Sequence, residues 1–123
     1  MHSNSSAFPF FAETPARALT EAERQVVEKL LERVEPRFRQ QVGNLQVVGR
    51  CGCCQCPTVF FLKHEPEIQE QDLSTYAGKD ESDGIVAAVL LQRNGLLSQL
   101  EFYSVDGHDP WQVPRAQDLE PYA

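Results

Sequence analysis

The chemistry-bearing residues of this chain are concentrated in one place, Gly49-Arg50-Cys51-Gly52-Cys53-Cys54-Gln55-Cys56-Pro57-Thr58. Thiols at this density can hold a soft metal ion, exchange disulfides or pack as small apolar groups. Two C-x-x-C spacings interleave, Cys51 with Cys54 and Cys53 with Cys56. In a tight turn such a spacing aims two thiolates at one zinc ion, and a structural site needs two further ligands. The chain has no second C-x-x-C pair. His64 reaches the turn if the strand after Cys56 folds back, whereas His108 reaches it only through the fold. Cys53 and Cys54 are adjacent, and neighbouring side chains diverge on extended backbone. The metal set the spacing favours is therefore Cys51, Cys53, Cys56 and His64.

A redox dithiol fits less well. Thioredoxin-like pairs sit at a helix N-terminus, which lowers the thiol pKa. Here Pro57 and an apolar, strand-like run follow, and Arg50 is the one nearby cation. Packing is the simplest reading, since free cysteine is among the most buried residue types. Elsewhere the chemistry is thin. His64 beside Glu65 reads as a loop pair, His108 lies between turn-forming aspartates, and Glu101 has no evident second carboxylate. No G-x-S-x-G, P-loop, G-x-G-x-x-G or H-E-x-x-H occurs, so no ordinary hydrolase or nucleotide enzyme is expected.

The elements that must position these residues fit one domain, for the chain has 123 residues. The formal charge is -7 and uneven: residues 1–63 carry eight Lys/Arg against six Asp/Glu, and residues 64–123 carry three against twelve. An acidic half repels phosphate backbones, which argues against nucleic-acid binding, and it suits a basic partner protein. No run approaches the roughly 20 apolar residues of a membrane span. Residues 1–18 lack a basic start and a continuous apolar stretch, and so read as a flexible leader rather than a signal peptide. A cytoplasmic location follows, where thiols stay reduced.

Residues 19–123 read as a single α+β domain. Thr20 and Glu23 form a capping box at the start of a helix from Glu21 to Val34, with Val27, Leu30, Leu31 and Val34 on its buried stripe. Pro36 to Val42 suits a short second helix. Leu45–Val48 and Thr58–Leu62 read as strands joined by the cysteine turn. Residues 64–84 read as an acidic loop, with a short strand at most around Leu73–Tyr76. Asn94-Gly95 marks a two-residue hairpin turn. Counting out from it places Val89 opposite Leu100 and Ala87 opposite Phe102, with Ile85, Ala87, Val89, Leu91, Leu100 and Phe102 toward the core. The expected architecture is one or two N-terminal helices packed on an antiparallel sheet of about four strands.

Three stretches together resemble a family of small bacterial proteins of no known activity. They are Leu19-Thr20-x-x-Glu23, the Gly49-Arg50-Cys51 to Cys56-Pro57-Thr58 turn, and Asn94-Gly95-Leu96-Leu97-Ser98-x-Leu100-Glu101-x-Tyr103. Cys51, Cys53, Cys56 and Pro57 match the family pattern. Cys54 departs from it, since glycine is expected there, and this argues against a site that needs all four sulfurs. The resemblance implies the order helix, Cys-rich turn, hairpin, and no activity.

The functional expectation is a protein-binding module, of the immunity, antitoxin-type inhibitor or adaptor kind. Its contact surface is the acidic segment Glu65–Asp83 with Tyr76, and its partner is basic. The alternative is a small zinc protein that uses the Cys51–Cys56 cluster. A site assembled under the acidic segment would leave no motif, so an enzyme is the third alternative.

Overall fold

The structure is a computed structural model that describes residues 10–52, 56–65, 67–107 and 112–122. Two helices, α1 (Glu21–Leu30) and α2 (Pro36–Arg39), accompany seven strands: β1 (Phe10–Ala18), β2 (Gln46–Cys51), β3 (Val59–Phe60), β4 (Gln71–Lys79), β5 (Ile85–Arg93), β6 (Leu96–Ser104) and β7 (Glu120–Pro121). They form one sheet in the order β1-β2-β3-β6-β5-β4-β7, antiparallel at every step. The α+β class with helices on an antiparallel sheet is thus as expected, but the strand number is seven rather than about four. No helix among the described residues is long and apolar enough to cross a membrane.

Helix α1 begins as its sequence dictates. The Thr20 hydroxyl accepts from the Glu23 amide at 3.1 Å, and the Glu23 carboxylate accepts from the Thr20 amide at 2.9 Å. The helix stops at Leu30, four residues short of Val34. The Leu31 N–H is shared between the Val27 and Glu28 carbonyls, a tightening typical of a last turn. Pro36 then opens α2, which is only four residues long. Val26, Val27, Leu30 and Leu31 of the first helical segment pack with Tyr76, Val86, Ala88, Leu90, Leu100 and Phe102 of the sheet.

Three of the extra strands arise where the sequence hides them. Residues 1–18 were assigned to a leader, yet from Phe10 onward they form β1, paired with β2 as Phe10–Cys51 and Ala18–Gln46. The register shifts between Ala12 and Arg17, so Pro15 falls outside the regular ladder, where its missing N–H is tolerated. Acidic β4 lies inside the stretch read as a loop. It is held by a long ladder to β5, from Asp72–Leu91 to Lys79–Ile85. The connecting turn is set by Asp80, whose Oδ1 accepts from the Ser82 amide at 2.8 Å and the Gly84 amide at 3.3 Å. Tyr76 is therefore not a surface residue. It is 3% exposed and belongs to the core. Short β7 covers part of the β4 edge.

The hairpin register also differs from the count. Next to the turn, Arg93 faces Leu96 and Gln92 faces Leu97, as Asn94-Gly95 requires. The register then slips by one, so that Leu91 faces Gln99, Leu90 faces Leu100 and Ala88 faces Phe102. Ser98 is the extra residue. Its carbonyl turns aside to accept from the Phe61 and Leu62 amides, as at a β-bulge. The side chains facing the helix are Val86, Ala88 and Leu90 rather than Ile85, Ala87, Val89 and Leu91.

Candidate functional site

The cysteine turn closes a hairpin. β2 ends at Cys51, whose amide donates to the Thr58 carbonyl at 3.1 Å, and Gly49 faces Phe60 across the pair. Cys51 is buried at 2% exposure. Cys56 is half-buried, with its sulfur 3.1 Å from Thr58 Oγ1 and 3.7 Å from the Phe102 carbonyl. Thr58 Oγ1 accepts from the Phe102 amide at 2.9 Å. The Thr58 hydroxyl proton is then available to the sulfur, and the thiol proton to the Phe102 carbonyl. Arg50 is turned away from the thiols. Its guanidinium lies 5.2 Å from the centroid of Phe11 and 3.8 Å from Glu13.

His64 does fold back, but against aromatic rings. It stacks on Phe10 at 6.1 Å and meets Phe60 edge-on at 5.7 Å, while Phe10 and Phe60 are 5.0 Å apart. Of the expected metal set, Cys51 and Cys56 stand at the two ends of one turn and His64 in this aromatic trio. Cys53 lies outside the described residues, as do Cys54 and His108. Among the described residues no three His, Cys, Asp or Glu side chains gather as a metal site.

A different group emerges on the sheet face turned away from α1. Register places Tyr122, Thr75, Val89 and Glu101 in one row across the strands, with the Tyr122 amide bonded to the Thr75 carbonyl at 2.9 Å. The next row is Glu120, Ala77, Ala87 and Tyr103. On the other side of the first row, Asp72, Leu91, Gln99 and Phe60 follow one another. The result is a floor of small side chains between taller ones. Ala87 and Val89 are buried, whereas Tyr103 and Tyr122 are 41% and 42% exposed.

The charges on this face are of one sign near Glu101. Burial pushes the Glu101 carboxyl above the ordinary glutamate range, and the neighbouring Asp72 and Glu70 carboxylates push it further. Glu70 has partners of its own, Ser98 Oγ at 2.9 Å and Arg93 at 3.7 Å. Among the described residues no cation lies within ion-pair distance of Glu101 or Asp72. The Tyr103 phenol is raised as well, by burial first and then by Tyr122, Glu101 and Asp72. Sequence reasoning found Glu101 and missed its companions. Glu70 and Asp72 lie about thirty residues away in the chain, and the β4–β5–β6 pairing alone brings them near.

Comparison of the chain with protein-family models, with curated proteins and with solved structures gives no match.

Proposed function

We propose that the protein is a binding module for a basic partner protein, acting as an inhibitor of the immunity or antitoxin kind or as an adaptor. One observation carries this reading: the half-buried Glu101 carboxyl beside Asp72 and Glu70, with no cation among the described residues to pair it. Like carboxylates crowded together raise the cost of ionisation and destabilise the fold. Strongly perturbed groups of this kind cluster at functional sites. A partner's ammonium or guanidinium would relieve the repulsion on binding. The surplus of twelve acidic over three basic residues beyond residue 63 would steer the same partner from a distance.

The test uses a capped peptide of alternating Ala and Lys as the basic probe and its Ala/Glu counterpart as control. Fluorescence anisotropy should report binding of the lysine peptide, falling steeply between about 20 mM and about 300 mM salt, and none of the glutamate peptide. Equal affinity for both peptides, or none for the lysine peptide at low salt, would reject the reading.

A further inference from the structure

The two rows that contain Glu101 and Tyr103 define a groove with a direction. Its walls are Glu101 and Tyr103 on β6 and Tyr122 on β7, and its floor is built by β5 and β4 between them. Three strand spacings separate the wall backbones, roughly 14 Å. The wall side chains lean into that width, so the remaining space suits one extended chain and is too narrow for a helix of about 10 Å or more. A floor of Ala77, Ala87, Val89 and Thr75 offers a smooth surface on which the methylene stem of a lysine or arginine can lie. Exposed tyrosines beside such a floor supply rigid contact area and a face for a cation.

The two ends of the groove differ in charge. Asp72 and Glu70 lie by Glu101 at one end. At the other, Lys79 faces Ile85 two rows beyond Thr75, about 14 Å along the strands. Glu120 stands on the β7 wall between them, opposite Ala77. We propose that this groove binds a single extended segment of a partner protein, with a basic side chain held at Glu101 between Tyr103 and Tyr122 and an uncharged or acidic residue some four positions away, near Lys79. The proposal rests on the binding-module reading and adds the place, the conformation of the partner and its orientation. Charge complementarity selects a basic protein segment over a second copy of the chain.

Amide NMR spectra of the intact chain titrated with the capped Ala/Lys peptide at low salt decide it. The expected shifts fall on Thr75, Ala77, Ala87, Val89 and Tyr103. Glu101→Gln and Tyr103→Ala should each weaken the peptide roughly tenfold, and Glu28→Gln on the exposed side of α1 should leave it unchanged. Placing an acidic residue at the peptide end that meets Lys79 should tighten binding, and reversing that peptide's sequence should remove the gain. Shifts confined to the α1 surface around Gln25, Glu28 and Glu32, with binding intact, would overturn the groove and leave the binding module standing. An equal loss in Glu28→Gln would mean attraction by net charge alone and would also overturn the groove. Concentration-dependent shifts of the groove amides without peptide would assign it to a second copy instead. Absence of any binding would reject groove and module together.

Discussion

Arg17 grips both oxygens of Glu23, with Nη1 to Oε1 and Nη2 to Oε2 each at 3.0 Å. This fork joins the end of β1 to the first turn of α1, and the same carboxylate accepts the Thr20 amide. Burial alone would raise the Glu23 pKa, but the Arg17 and Thr20 bonds outweigh it and hold the group below the ordinary glutamate range. A depressed folded pKa means that the group stabilises the fold fully above its unfolded pKa. That contribution is lost as pH falls through the folded value. Glu23→Gln should therefore cost about 2 kcal/mol at neutral pH. Chemical denaturation at a series of pH values should show the gap to the parent closing in acid. A gap that stays constant down to the acid limit would remove the charge from the explanation.

Glu101 carries the opposite sign. Its folded pKa is raised, so the native state binds its proton more tightly than the unfolded chain does. Stability attributable to this group is greatest below the ordinary glutamate pKa. It falls as pH rises from there to the raised folded value, then levels off. Glu101→Gln should be as stable as the parent or more so at neutral pH, and should lack that decline. Its melting temperature against pH is the measurement, and a lower melting temperature at neutral pH counts against the assigned repulsion.

Gln41 clamps the hairpin turn from a distant part of the chain. Its Nε2 donates to the Gly95 carbonyl and its Oε1 accepts from the Leu97 amide, both at 2.9 Å. The side-chain amide thus stands in for a strand residue at the turn. Gln41→Ala leaves a backbone amide beside the buried Leu97 without its acceptor, at a cost of about 1 to 2 kcal/mol. The urea midpoint should drop with an unchanged slope.

Gly49 is fixed by what lies on it. A Cβ at this position would stand 2.2 Å from Phe10 Cε1 and 2.3 Å from Cζ, so Gly49→Ala must displace the ring from Phe60 and His64. A loss of about 1 to 3 kcal/mol is expected, together with changed shifts of the His64 ring protons. In a double-mutant cycle, Phe10→Ala should recover part of the Gly49→Ala loss. Strict additivity of the two substitutions would show that the ring is not the obstacle.

The sequence determined the features whose causes are local. The Thr20–Glu23 capping box starts α1 because both bonds form within one turn of chain. Val27, Leu30 and Leu31 face the core because helical spacing puts them on one side. Asn94-Gly95 makes the hairpin turn because both residues take positive φ, 56° and 85°. Tertiary structure decided what depends on distant partners. The slip at Ser98 exchanges the faces of β5 relative to the count, and nothing near Asn94-Gly95 encodes it. The sequence pattern gave little resistance, because Ala87 and Val89 on one face are as apolar as Ala88 and Leu90 on the other. β4 was hidden by its polar composition, and its strand character comes from pairing with β5. Of the residues marked out for chemistry, Cys51 and Cys56 do share one turn, as their spacing required. His64 went to Phe10 and Phe60 because aromatic packing on that face was the nearer partner. The carboxylates around Glu101 and the tyrosines beside them meet only because β4, β7 and β6 lie in one sheet, an arrangement set by long-range strand pairing.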